Sequence, residues 1–204
     1  TNSRVKNLKK KMNMIYKTSK RLIDICFVIT FFCLTLPFVL FIFIIVKSTS
    51  QGPFIYWSKR IGKNNNFFFM PKIRTMKINT PQIATHLLSN PDKYLTYIGS
   101  FLRKTSLDEL PQIWSILVGD MTVVGPRPAL YNQYDLIEYR QSLGIDKLTP
   151  GLTGWAQING RDDLEIKKKV DLDFFYLNNH SFFLDFKIIF LTFFVFFNKN
   201  NIKH

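Results

Sequence analysis

Cysteine is almost missing from this chain: Cys26 and Cys33 are the only two among 204 residues. They lie seven apart on one helical face, where a disulfide within one helix is geometrically excluded. A disulfide-stapled scaffold is therefore ruled out, and both read as small apolar side chains in a reducing compartment. Histidine is nearly as scarce, and His86, His180 and His204 are too far apart to have metal-ligand spacing, which argues against a histidine-built metal centre. Acidic residues are few as well, 14 against 28 Lys and Arg, for a net charge of +14. Such an excess suits a partner carrying phosphate: a nucleic acid, anionic headgroups or a nucleotide. No internal repeat, low-complexity linker, Walker spacing or Rossmann spacing occurs, so those architectures are set aside.

Hydrophobic residues, in contrast, make up 47% of the chain and include 21 Phe, which excludes a disordered basic tail. Much of the Phe is gathered in two apolar runs rather than interleaved with the basic residues. Nucleic-acid binding through stacked bases would need that interleaving, so no nucleic-acid partner is expected and membrane contact comes first. Residues 1–21 carry eight Lys or Arg and no acid, and Ile25 to Val46 then run for twenty-two residues without a charge. That length spans a bilayer as a helix and exceeds the apolar core of a cleaved signal. Pro37 sits past the middle of the run, and seven basic residues follow it before the next acid, Asp92. Basic flanks on both sides place both ends in the cytoplasm, and proline in a helix interior kinks it. Together these predict a re-entrant membrane helix broken at Pro37, its freed backbone groups buried against protein.

The expected organisation is a basic N-terminal segment over 1–21, the re-entrant helix over 22–47, a catalytic head over 48–181, and a C-terminal helix and tail over 182–204. The run from Phe182 to Phe197 is interrupted by Asp185 and Lys187, which makes it too short to span and predicts an interfacial or half-buried amphipathic helix. Within the head, Phe54 to Trp57 and Phe67 to Met70 flank a Gly62 to Asn66 turn, the pattern of a small β-hairpin. Helical spacing follows at Tyr94 to Leu102, Leu107 to Val118, Leu130 to Leu143 and Asp163 to Leu177. The fold class is therefore α+β, mostly helical.

Ser106-Leu107-Asp108-Glu109 has the pattern of a helix start, with Ser106 as N-cap, Glu109 closing a capping box and Asp108 favoured by the helix dipole. The same geometry could hold an ionised Asp108 beside a phosphate as a nucleophile, with Glu109 on a divalent metal. Gly125-Pro126-Arg127-Pro128 is a stiff loop that aims one guanidinium, suited to bidentate phosphate binding or to a rigid surface turn. Arg60, Lys72, Arg74, Arg103 and Arg161 could line the same site or face anionic headgroups. The loop Pro150 to Arg161 packs three glycines, as expected where backbone approaches a ligand closely. Asp171-Leu172-Asp173 matches the three-residue metal motif of nucleotide-sugar glycosyltransferases, a match better explained by chance.

Taken together, the proline-broken apolar segment, GPFIYWSKRIGKN, PKIRTM, LRKTSLDELPQIWSILVGDMTVVGPRP and PGLTGWAQINGR resemble the bacterial sugar transferase family of monotopic phosphoglycosyl transferases, from about Lys20 to Lys187. The resemblance implies transfer of a sugar-1-phosphate from a UDP-sugar donor to undecaprenyl phosphate at the cytoplasmic face of the bacterial inner membrane. It implies that Asp108 attacks the donor's β-phosphate, expels UMP and carries the phosphosugar, while Glu109 binds Mg²⁺. Arg127, Arg60, Lys72, Arg74, Arg103 and Arg161 would bind substrate, and the family's C-terminal acidic position falls on Asp173. The motifs look most like members that handle N-acetylated or deoxy-amino sugars in glycan, capsule or O-antigen assembly. Two positions depart from the family pattern. Leu36 replaces the serine many members carry before the proline, so support of the kink falls to Thr35, and Ser58 stands where many have glutamine.

Overall fold

The chain opens with a long helix, α1 (Asn2–Thr49), which a computed structural model describes together with the rest of residues 2–80, 90–160 and 164–197. Its segment Met14–Thr49 is long and apolar enough to cross a membrane, with a mean hydropathy of 2.8 over its best window. Pro37 lies inside the helix without interrupting it, so the break expected there is not a gap in the helical structure. A proline removes one hydrogen bond and crowds the carbonyl four residues back, here that of Cys33. Thr35, the expected support, donates its hydroxyl to Phe31 O (2.9 Å), and Thr30 does the same to Cys26 O (3.0 Å), a back-bonding that bends helices.

One stripe of α1 is protected from Asp24 to Val46. Asp24 and Val28 are buried, Phe31, Thr35 and Val39 are half-buried, and Ile42 and Val46 are buried. This is the three- and four-residue spacing of one helical face. Val28 joins a core with Met70, Ile113, Ile116 and Ile188, while Ile42 and Val46 pack with Ile73 and Leu102. Both flanks of the apolar run therefore rest on the same head. Polar contacts repeat the pattern: Arg21 donates to the carbonyls of Ile116 and Leu117, Thr122 donates to Asp24, and Lys47 Nζ donates to Gly52 O (3.2 Å).

The predicted hairpin is present and longer than expected, with β1 (Ile55–Ile61) antiparallel to β2 (Phe67–Ile73) and Ser58 opposite Met70. Asn64 and Asn65 take positive φ in its turn, a conformation asparagine tolerates better than most residues. Strand alternation gives the hairpin two faces. Ser58, Phe68 and Met70 are buried on the inner one, and Trp57, Phe67 and Phe69 are exposed on the outer.

Helices α2 (Gly99–Lys104) and α3 (Ile113–Val118) follow, joined by a 3-10 turn, Leu107–Gln112. Strand β3 (Thr122–Val124) leads through the Gly125 to Pro128 loop to α4 (Tyr134–Ser142). Next come β4 (Gly151–Thr153), which pairs parallel with β3, and α5 (Trp155–Ile158). Helices α6 (Ile166–Asn179) and α7 (Phe182–Phe197) close the described chain. The parallel β3–β4 pair had no sequence signal, since each strand has only three residues. The expected α+β, mostly helical class is the class observed.

Two of the three glycines of the Pro150 to Arg161 loop, Gly151 and Gly154, admit another backbone segment. A Cβ on Gly151 would collide with the backbone of Gly125, and one on Gly154 with the Gly125 carbonyl. The close approach is backbone against backbone, between this loop and the one carrying Arg127.

Candidate active site

The Leu107–Gln112 turn presents Asp108 and Glu109 to the inner face of the hairpin, where Lys72 enters from β2. Lys72 Nζ lies 2.9 Å from Glu109 Oε1 and 4.0 Å from Asp108 Oδ2. Arg127 Nη2 reaches the same Glu109 oxygen at 2.8 Å. Thus β2, the 3-10 turn and the Gly125 to Pro128 loop converge on one carboxylate pair.

The capping box read from the sequence is not formed. Ser106 is left-handed (φ 52°, ψ 20°), and its side chain makes no cap hydrogen bond, whereas an N-cap needs extended backbone. The neighbouring cations favour charge here. Burial pushes the Asp108 carboxyl up from its ordinary value, and charged Glu109 adds to that against the pull of Lys72, Arg103 and Arg127. Burial also works against charge on Glu109, yet Arg127 and Lys72 more than offset it and hold its carboxyl well below the usual range. Adjacent carboxyls driven apart in this way are suited to different tasks. Glu109 is held as a permanent anion, while Asp108 is a desolvated carboxylate with cations close by.

The other expected residues divide. Arg60 donates from Nε to Ser58 Oγ (3.0 Å) and from Nη1 to Pro128 O (3.2 Å), so it braces the Arg127 loop from β1. Ser58 thereby gains a role its sequence position did not suggest. Arg103 of α2 donates to Thr75 Oγ1 (2.9 Å) and is close enough to Asp108 to act on its charge. Arg74 bonds with residues of the connection after α1. It is buried, with Nε donating to Pro53 O (2.6 Å) and Nη2 to Ser50 Oγ (2.9 Å), and so ties down the connection after α1. Arg161 lies outside the described residues.

Asp173 is 1% exposed and accepts Arg140 Nε (3.0 Å) and Nη2 (2.6 Å). It therefore meets an internal arginine rather than open space. Asp171, two positions earlier on α6, is exposed, so the two aspartates do not form a joint metal site. Arg140 was missed by sequence reasoning because nothing in the stretch around it distinguishes it from a surface arginine.

A metal has a restricted set of donors. Among the described residues no group of three His, Cys, Asp or Glu side chains comes together. Mg²⁺, however, is commonly held by one or two carboxylates plus substrate phosphate oxygens. Glu109, kept ionised by Lys72 and Arg127, suits that mode as a single protein carboxylate.

The bacterial sugar transferase family profile matches residues 15–199. The chain is 40% identical over 174 residues to the uncharacterized sugar transferase EpsL of Bacillus subtilis, covering 85% of this chain and 84% of that one. It is 39% identical over 185 residues to the UDP-glucose:undecaprenyl-phosphate glucose-1-phosphate transferase of Escherichia coli. It is 34% identical over 188 residues to the UDP-N-acetylgalactosamine-undecaprenyl-phosphate N-acetylgalactosaminephosphotransferase of Aeromonas hydrophila. These alignments cover 86% and 87% of this chain but 39% and 43% of the two relatives, so the chain spans about two fifths of their length. With its profile match running nearly end to end, this chain belongs to the bacterial sugar transferase family.

Proposed function

We propose that this chain transfers a sugar-1-phosphate from a UDP-sugar to undecaprenyl phosphate through a covalent aspartyl intermediate. The observation that carries the reading is the pairing of Asp108, buried and 4.0 Å from Lys72, with Glu109, which is charge-locked by Lys72 and Arg127. It is supported by relatives whose names specify undecaprenyl-phosphate sugar-phosphate transfer.

In the first step an Asp108 carboxylate oxygen attacks the donor's β-phosphorus. A bond from that oxygen to phosphorus forms as the bridging bond to the α-phosphate breaks, and UMP leaves with the bridging oxygen. In the second step a phosphate oxygen of undecaprenyl phosphate attacks the same phosphorus, the aspartyl bond breaks, and Asp108 is regenerated as the lipid diphosphate sugar departs. Lys72 and Arg127 neutralise the charge gathered on the diphosphate, which is where most of the help in phosphoryl transfer comes from. Glu109 would hold Mg²⁺ with the phosphate oxygens, and the ion would shield the diphosphate and stabilise the leaving group.

The donor is proposed to carry an N-acetylated or deoxy-amino sugar, on the strength of the GPRPALYNQYDLI and GWAQINGRDD motifs. The head is proposed to lie at the cytoplasmic face of the inner membrane. There α1 would enter and return on one side, as the docking of both its flanks on the head supports.

The test is release of nucleotide by detergent-purified protein with Mg²⁺, undecaprenyl phosphate and a panel of UDP-sugars that includes glucose and N-acetylgalactosamine donors. UMP should appear, and Asp108→Asn should lower its rate at least about 10³-fold, as loss of a nucleophile does. Release of UDP instead would indicate direct glycosyl transfer and sink the aspartyl mechanism.

A further inference from the structure

Four consecutive carbonyls of the loop carrying Arg127 each accept a hydrogen bond. Pro126 O accepts from Gly151 N (2.8 Å), Arg127 O from Arg140 Nη1 (2.8 Å), Pro128 O from Arg60 Nη1 (3.2 Å) and Ala129 O from Ile61 N (3.0 Å). Three of these donors come from the hairpin and the β4 strand, which flank the site. The fourth, Arg140, comes from α4 and is itself gripped by Asp173 on α6. Arg140 and Asp173 are 8% and 1% exposed.

The arrangement forms a chain: Asp173 holds Arg140, Arg140 holds the Arg127 peptide, and the Arg127 side chain reaches Glu109. A cleft lined by Ile61, Gly62, Pro126, Pro128, Arg140 and Asp146 borders this loop. Pro126, Pro128 and Ala129 are themselves buried, so packing holds the loop in place and the hydrogen bonds to its carbonyls set the orientation of its peptides. Stability alone gives no reason for an ion pair here, because well-packed apolar residues of similar volume are commonly as good or better. What an apolar pair cannot do is donate to one chosen carbonyl. A guanidinium can grip the carboxylate through two nitrogens while a third addresses the peptide.

We propose that Arg140, fixed by Asp173, is a positioning residue that sets the Arg127 peptide so that the Arg127 guanidinium meets the diphosphate of the nucleotide donor. The proposal rests on the donor-site reading above and gives Asp173 a task away from the substrate.

The test is UDP binding to the full chain in detergent with Mg²⁺, by calorimetry, alongside its thermal unfolding midpoint. Arg140→Gln leaves Asp173 unpaired and should lower both the midpoint and the affinity. Arg140→Met with Asp173→Leu removes both charges and should restore the midpoint. It should still bind UDP roughly ten- to a hundred-fold more weakly than wild type, the scale expected of an ångström-level misplacement. Arg140→Lys keeps a charge against Asp173 without the fork, and should fold normally yet show weakened binding. It carries the test if the other variants do not fold. A double or lysine variant that folds and binds UDP as wild type does would overturn the positioning role and leave the donor site standing. Failure of the wild-type chain to bind UDP would overturn the donor-site reading, and this proposal with it.

Discussion

Asp108 and Glu109 are covalent neighbours with opposite surroundings, and the difference lies in which cations each one touches. Glu109 has Lys72 at 2.9 Å and Arg127 at 2.8 Å, while Lys72 lies 4.0 Å from Asp108, whose charge Arg103 and Arg127 also favour. Burial outweighs those cations at Asp108 and raises its carboxyl, whereas at Glu109 the cations outweigh burial. Farther out, single atoms decide whether the Arg127 loop can lie where it does. The extended Gly154 backbone (φ −175°) would accept any residue, but a Cβ there collides with the Gly125 carbonyl and with Gln157 Oε1. Gly154→Ala should therefore cost roughly 1–3 kcal/mol, as overpacking does, and should weaken donor binding by displacing the loop. Thermal unfolding and UDP titration of the purified variant would read both effects, and an unchanged affinity would show that the loop tolerates the shift.

At the scale of elements, α7 explains why its apolar run is interrupted. Asp185, which breaks the run in sequence, is buried and accepts the Tyr16 hydroxyl (2.8 Å), Lys20 Nζ (2.7 Å) and the Tyr176 hydroxyl (2.7 Å). One carboxylate thus joins α7 to both α1 and α6. The Tyr176 hydroxyl loses any tendency to ionise, first through burial and then through the adjacent Asp185 charge. Leu184 and Ile188 pack on the core beside it, and Thr192 meets Thr153. Phe183, Phe186, Phe190 and Phe193 cover the opposite, exposed face. Asp185→Asn keeps the shape and removes the charge that three donors share. The expected loss is roughly 1.5–3 kcal/mol, seen as a lower thermal midpoint and as earlier proteolysis of the C-terminal helix. A midpoint equal to wild type would mean that apolar packing alone holds α7.

For the whole molecule, the polar site and the apolar surface are segregated. The exposed large hydrophobic side chains concentrate on α1 and α7, while Lys72, Arg103 and Arg127 surround the carboxylate pair inside the head. Both ends of the apolar run touch that head, through Arg21 on one side and Ile42 and Val46 on the other. If α1 enters and returns on the same side, the two flanks share one aqueous compartment. With Cys26 and Cys33 replaced by alanine, single cysteines at Lys17 and Lys63 should both react with a membrane-impermeant maleimide in inverted vesicles and be protected in right-side-out ones. Labelling of the two positions from opposite sides would instead make α1 a spanning helix.

The amino-acid sequence by itself determined what depends on neighbours in the chain. The uncharged run, the hairpin turn, the carboxylate pair, the arginine loop and the family they resemble are all written in local periodicity and contiguous motifs. Tertiary structure decided which polar side chain meets which. Asp173 pairs with an arginine 33 positions away, Arg74 turns back to the end of α1, and Asp185 collects donors up to 169 positions away. It also decided that Ser106 would turn left-handed rather than cap, and that Gly151 and Gly154 would admit another backbone. The reason is physical: an arginine or carboxylate looks the same in sequence whether it faces a substrate or an internal partner. Only packing, by removing water from one and leaving the other accessible, separates them.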